Sequence, residues 1–384
     1  MTMKRRFRYC FLVALLLPLL QGCGGKDPVP DLPPPPTPSG NEGQGGGNGG
    51  NGGNGGDGGN GGTGTHEWDA NRGKVVTPSG PGWTSKTVEE GVVYYSFSGT
   101  DSVTGQKEEV FAVDLDLSKS QYQVKLLWTN PAVYVSDAFK LYDDAVAAMN
   151  ANYELNSIFV RVNGTTQSAI PKTVIGETTV PNWKSEAAFS SDGERGLGIF
   201  FAGSPRRDGR ITGIKDKTYA EAVSMQRQYY TSIAGNFPHL ISSAPMLLND
   251  YEPVGENFCD YSLTSSQVNA LNSEHPDRHQ RVRHPRTAIG LTENNHFIML
   301  VVDGRTNYSS GMSCRELTRF MVHWFNPQYA LNMDGGGSTT LCVKGEGDPE
   351  SHVVNYPCEN IPDKNSHDHT HLRKRSVHFV ILKK

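Results

Sequence analysis

An α+β fold with mixed β-sheets and packed helices is what this sequence predicts, and three observations carry the prediction. Runs rich in β-branched and aromatic residues, two of them alternating with polar ones, recur from residue 92 onward. The stretch after Ser313 repeats Leu317, Phe320, Met321 and Trp324 at helix spacing instead. Between residues 296 and 334 a strand, a helix and a strand follow one another, the signature of a parallel crossover.

The first 65 of the 384 residues stand outside that fold. Lys4, Arg5, Arg6 and Arg8 precede the apolar run CFLVALLLPLL, which is too short to span a bilayer and reads as a secretory signal. Leu20, Gly22 and Cys23 resemble a bacterial lipobox, so 1–23 is expected to be a lipoprotein signal with Cys23 lipidated. Residues 24–65 are Pro-rich and then Gly/Asn-rich, an extended and then flexible tether that buries too little apolar surface to order itself. The expected address is the bacterial cell envelope, with a membrane contact only through the lipid. Residues 66–384 form the folded body, long enough for a large core.

Within the body, VVYYSFSG (92–99), EVFAVDLDL (109–117) and YQVKLLW (122–128) read as strands joined by tight turns. DAFKLYDDAVAAMN (137–150) places Ala138, Leu141, Ala145 and Ala148 or Met149 on one helical face, which predicts a helix. SIFVRVNG ends a buried strand at Asn163-Gly164, and LGIFFAG and HLISSAPMLLN are the clearest strands of the middle region. HFIMLVVDGR is an apolar strand ending at Asp303. Ser313 and Glu316 then fit a capping box, opening a helix whose Leu317, Phe320, Met321 and Trp324 share a face and which Pro327 stops. YALNMD ends at Asp334, before GGGS and the strand TTLCVKG. A parallel crossover would set the C-terminal ends of the two long strands on one edge, with Asp303 and Asp334 side by side where ligands bind.

Charge narrows the function. With 36 Lys+Arg against 40 Asp+Glu the net charge is −4, which argues against a strongly basic nucleic-acid binder. Cys259, Cys314, Cys342 and Cys358 permit two disulfides or four buried thiols. Cys342–Cys358 is the pairing a strand and its return favour, and the spacings match no zinc pattern. His367, His369 and His371 lie in a polar stretch that reads as solvated rather than as a metal site.

The sharpest motif is Asp334-Gly335-Gly336-Gly337-Ser338-Thr339. Three glycines after a strand allow positive φ and close approach, so their amides can cup an anion, and the absent lysine separates the motif from a P-loop. Arg286-Thr287 and Asp303-Gly304-Arg305 form a second group, whose planar guanidinium groups suit bidentate phosphate contact.

Taken in order, these pieces resemble the phosphodiester glycosidase family. The matching stretches are VNG (162–164), SSAPMLL (242–248), PRTAIGLT (285–292), LVVDGR (300–305), SGM with its helix (310–325), ALNMDGGGSTTLCV (330–343) and RSVHFVIL (375–382). The family usually follows Asn-Gly with another glycine and aromatics, where this chain has Thr165-Thr166-Gln167. The resemblance implies cleavage of a sugar-1-phosphodiester with no metal or organic cofactor. It maps onto Asn163, Arg286, Asp303, Arg305, Asp334 and the glycines Gly335, Gly336 and Gly337. Cleaving a sugar C1–O bond needs a carboxylate, for which Asp334 and Asp303 are both candidates. Thr287, Ser338 and Thr339 of the two motifs join Asn163, Arg286, Arg305 and the glycines as substrate- or phosphate-binding candidates. The partner the resemblance implies is a phosphorylated glycan. Two other readings remain: a non-catalytic glycan-binding lipoprotein, and a metal-dependent phosphodiesterase using the C-terminal histidines.

Overall fold

The computed structural model describes residues 73–74, 76–119, 121–169, 172–175, 178–192, 196–202, 204–205, 211–212, 218–230 and 234–383. The signal, Cys23 and the tether lie outside these described residues. In chain order the strands begin with β1 (Trp83–Glu89), β2 (Val92–Thr100), β3 (Lys107–Asp116) and β4 (Tyr122–Val133), followed by helix α1 (Val135–Phe139). Next come β5 (Ala145–Asn150), β6 (Val160–Val162), β7 (Thr165–Ser168), β8 (Lys172–Ile175), β9 (Thr178–Pro181), β10 (Ala187–Ser191) and β11 (Leu197–Phe201). Then follow β12 (Ser204–Pro205), β13 (Ile211–Thr212), α2 (Tyr219–Gln228), β14 (His239–Ser243), β15 (Met246–Asn249), α3 (Ser265–Ala270) and α4 (Pro276–Arg281). The chain closes with β16 (Arg286–Leu291), β17 (His296–Val302), α5 (Cys314–Trp324), β18 (Tyr329–Asn332), β19 (Leu341–Val343) and β20 (Arg375–Lys383).

Three sheets share the main core. A seven-stranded sheet runs β1-β2-β3-β17-β16-β18-β15, a five-stranded one β11-β10-β14-β6-β7, and a four-stranded one β19-β5-β20-β4. The near-continuous apolar run of β17 has a plain cause, because its sheet is covered on both faces. Phe297, Met299 and Val301 enter the core shared with the other sheets, where Phe189, Phe297 and Phe379 touch at centroid distances of 5.0–6.0 Å. Ile298, Leu300 and Val302 point the other way, onto Leu317, Phe320 and Met321 of α5. Each of these buried side chains contributes about 1.5–3 kcal/mol by leaving water. The expected capping box is present: Ser313 Oγ accepts from Glu316 N at 3.3 Å, and Glu316 Oε2 accepts from Ser313 N at 2.9 Å.

The crossover also forms. β17 and β18 are both antiparallel to β16 and therefore parallel to each other, with β16 lying between them. Their C-terminal ends share an edge, but one strand apart rather than side by side.

The helix expected over 137–150 is corrected. Only Val135–Phe139 is helical, and Ala145–Asn150 is β5, a central strand between β19 and β20 with every residue buried. Alanine favours helices in isolation. Here its small side chain suits a strand enclosed on both faces, with Val146 and Met149 in the main core and Ala145 and Ala148 packed under α1. Among the described residues no helix is long and apolar enough to cross a membrane.

Candidate functional site

The start of β16 and the ends of β17 and β18 meet at one sheet edge, where Arg286 pairs with Val302 and Ala288 with Asn332. Asp303 follows β17 by one residue and Asp334 follows β18 by two. Asp334 is nearly buried, and its backbone is held from both sides. Its carbonyl accepts from Asn150 Nδ2 at 2.7 Å, and its amide donates to the Ala151 carbonyl at 3.4 Å. Its carboxylate lies 2.8 Å from Arg375 Nη2. The Oδ2 atom facing that guanidinium makes no aligned hydrogen bond, so charge rather than a directed donor holds it. Arg375 is itself fixed, with Nε donating to Ser338 Oγ at 2.7 Å and Nη1 to Glu154 Oε1 at 2.9 Å.

Each glycine of the turn has its own reason. A Cβ on Gly335 would lie 2.5 Å from the Pro285 carbonyl oxygen. Gly336 has φ +61°, a left-handed value that side chains disfavour. A Cβ on Gly337 would collide with the Glu359–Arg373 ion pair packed over it. The expected cup of amides is only partly available. Gly336 N donates to Pro285, Ser338 N to Gly335 and Thr339 N to Gly336, at 2.8–3.2 Å. The side chains above the turn therefore supply most of its chemistry.

Arg305 is one of them. Its own φ is +63°, and its guanidinium sits 3.5 Å from where a Gly336 Cβ would be, against His284 Nδ1 at 3.0–3.2 Å. Asp303 has a different setting. Its oxygens accept from Asn355 Nδ2 at 2.8 Å and Tyr356 N at 2.7 Å, and burial pushes its carboxyl up to about 8. Asn355 Nδ2 also donates to the Thr339 carbonyl, so Asp303 braces the 355–356 segment against the turn. Thr287 and Thr339 are buried beside Asn150 and pass hydroxyl contacts at 3.3–3.4 Å.

Two expected binding residues stand elsewhere. Arg286 is fully buried, and its fork is engaged with the carbonyls of Met312 and Val282 at 2.6 Å and with Gln280 Oε1 at 2.8 Å. Asn163, with φ +50°, turns the exposed β6–β7 hairpin beside His239. That is the end of β14 opposite Ser243, whose hydroxyl reaches the Asn332 carbonyl near Asp334. The asparagine that reaches Asp334 is Asn150, which the helix expected over 137–150 concealed. Arg375 and Arg373 are assigned no role in the sequence, where RSVHFVIL stands only as a stretch that matches the family. A charged residue opening an apolar strand was the available signal.

His367 is stacked between Tyr308 and Tyr356, at centroid distances of 4.4 and 3.5 Å. His369 bonds the Asn355 carbonyl at 2.7 Å, and His371 lies 3.5 Å from Asp368. No group of three metal-binding side chains placed to hold an ion occurs among the described residues. The Cys342–Cys358 disulfide is corrected, since no disulfide joins the described cysteines. Cys342 packs under α1, whereas Cys358 lies beside Arg305. A 570 Å³ cavity lined by Leu197, Phe200, Glu293 and Asn295 opens at the other end of β16 and β18, where Leu291 pairs with Tyr329. Volume and chemistry disagree about the site, and the convergent charges decide for the Asp334 edge.

A family model described as phosphodiester glycosidase matches residues 149–382, beginning one residue before Asn150. No curated protein matches the chain. Among solved structures it is similar to a hypothetical protein from Synechocystis, at 14% identity and TM-score 0.47, covering 80% of this chain and 64% of that one. The chain thus spans less than two thirds of that protein's length. It is also similar to the zebrafish N-acetylglucosamine-1-phosphodiester alpha-N-acetylglucosaminidase catalytic domain auto-inhibited by pro-peptide, at 17% identity and TM-score 0.46, covering 81% and 87%.

Proposed function

Because this chain belongs to the phosphodiester glycosidase family, we propose that it hydrolyses the bond between a sugar C1 and a phosphodiester oxygen, leaving a phosphate monoester on a glycan. The observation that carries the reading is the Asp334 carboxylate at the shared strand edge, 2.8 Å from Arg375, on a glycine turn with Arg305 lying over it. Breaking the C1–O bond builds oxocarbenium-like charge, which a carboxylate stabilises or traps. The departing phosphate is already a good leaving group, so protonating it contributes less than it does for an alcohol. Fixed cations and N–H groups aimed at the oxygens that gain charge take over much of the acid's work.

In this reading Asp334 activates water or attacks C1, Arg375 and Arg373 hold it in place, and Arg305 holds the phosphate. Asp303 keeps the 355–356 segment against the turn. Hydrolysis in oxygen-18 water tests the reading: the label belongs on the released sugar. Label on phosphate would mean P–O cleavage, and no product would mean a binding protein. We also propose that Cys23 carries a lipid and the 24–65 tether holds the enzyme off an envelope membrane. The basic start, the short apolar run and Gly22-Cys23 support this.

A further inference from the structure

Two histidines beside the glycine turn are positioned by donors in a way that the reading above leaves unused. His284 Nδ1 lies 3.2 Å from Arg305 Nε and 3.0 Å from Arg305 Nη2. A guanidinium only donates, so Nδ1 is an acceptor and the ring proton of the neutral imidazole sits on Nε2. His279 is fixed in the same tautomer through Gln280. Gln280 Oε1 accepts from Arg286 Nη1 at 2.8 Å, and since Arg286 can only donate, the amide cannot be flipped. Gln280 Nε2 therefore faces His279 Nδ1 at 3.0 Å and Tyr153 Oη at 3.1 Å, which places the His279 proton on Nε2 as well. The His279 ring is fixed between Tyr153 and Trp183, edge-on to both at 5.8 and 5.5 Å.

Both rings are half-buried. Neither Nε2 has a partner among the described residues, and neither is sealed from solvent. The charges acting on them are cationic: Lys184, Arg286 and Arg305 on His279, and Arg305, Arg286 and Arg278 on His284. Burial, with these cations adding to it, holds both imidazoles well below their ordinary range, and hence neutral. Two uncharged N–H donors with Arg286 and Arg305 nearby suit an oxyanion.

We propose that His284 and His279, each in its Nε2–H tautomer, are phosphate-binding donors of the leaving-group pocket. Arg305 fixes the first, and Arg286 fixes the second through Gln280. The assignment rests on the phosphodiester reading for its substrate and gives the buried Arg286 fork a positioning role. During cleavage the phosphate gains negative charge as C1–O breaks, and preset N–H donors stabilise that change without reorganising.

The test is long-range ¹H–¹⁵N NMR of the full chain with ¹⁵N-labelled histidine, the two rings assigned with His279→Asn and His284→Asn. The expected result is a neutral Nε2–H pattern for both rings and a saturable shift of both Nε2 signals on adding inorganic phosphate. A neutral Nδ1–H pattern in either ring, or signals unmoved by millimolar phosphate, overturns the proposal. A kinetic arm uses His284→Ala. Its kcat/KM should fall at least ~10-fold on a glycosyl-1-phosphodiester. On an aryl glycoside of the same sugar, which carries no phosphate, it should stay near the wild-type value; an equal loss on both substrates also overturns the proposal. If wild-type protein cleaves neither substrate, the glycosidase reading fails, and the phosphate titration still decides the histidine pocket.

Discussion

Replacing Asp334 with asparagine deletes one charge and one basic oxygen while nearly preserving side-chain shape, and the stability cost can be worked from its contacts. Asp334 and Arg375 face each other at 2.8 Å with side chains 9% and 8% exposed. Removing one member of such a buried pair usually costs about 3–5 kcal/mol, because the other charge is left uncompensated. Arg375 is not left so, since it keeps Glu154 at 2.9 Å and Ser338 at 2.7 Å. The cost therefore falls to that of one charged contact, about 1.5–3 kcal/mol. At roughly 2–4 °C per kcal/mol for a domain of this size, Tm drops by about 3–12 °C and the fold survives. The backbone bonds of Asp334 to Asn150 and Ala151 do not depend on the carboxylate. Turnover is expected to fall by at least ~100-fold, the scale of a lost general base, with more if the carboxylate attacks C1 directly. The assay is sugar release from a glycosyl-1-phosphodiester per folded molecule, with folding followed by near-UV circular dichroism and Tm by calorimetry. Turnover close to wild type in a folded variant refutes the reasoning and moves the chemistry to Asp303.

Gly337→Ala pushes a methyl into the Glu359–Arg373 pair, which is partly exposed and flexible. Stability should therefore change by only about 1 kcal/mol while turnover falls through displaced Arg373; a Tm loss with full turnover contradicts this. Glu108 is wholly buried, with Oε2 accepting from Ser309 Oγ and Gly311 N at 3.1 Å, and burial pushes its carboxyl from 4.5 up to about 9. Asp303 is pushed from 3.8 up to about 8 in the same sense. Both favour the protonated folded form, so their stabilisation is full below about pH 4 and is lost as pH rises through 8–9. Thermal unfolding should therefore show Tm falling from pH 5 to 9, and Glu108→Gln should flatten the fall; an unchanged slope removes Glu108 from the account. Cys23→Ser should release the protein from membranes on fractionation, and a variant that stays membrane-bound while wild type carries no lipid by mass spectrometry refutes the anchor.

Where a structural signal is local, the sequence alone determined the outcome. The capping box at Ser313 and Glu316, the apolar face of α5 and the unbroken run of β17 need only near neighbours, and all appear where the pattern puts them. The Asp-Gly-Gly-Gly motif was legible for the same reason, since few turns need three consecutive residues without a side chain. The path of β5 was not legible. Its alanines satisfy a helical period equally well, and burial between β19 and β20 decides against the helix. That one decision, set by packing against strands about 200 residues away in sequence, brings Asn150 rather than Asn163 to Asp334. Tertiary structure likewise decided the arginines. Arg286, Arg305 and Arg375 carry identical charge in the sequence, yet one is enclosed by carbonyls, one lies over the turn and one faces Asp334. A guanidinium's role depends on which acceptors surround it, and those acceptors come from segments far apart in the chain.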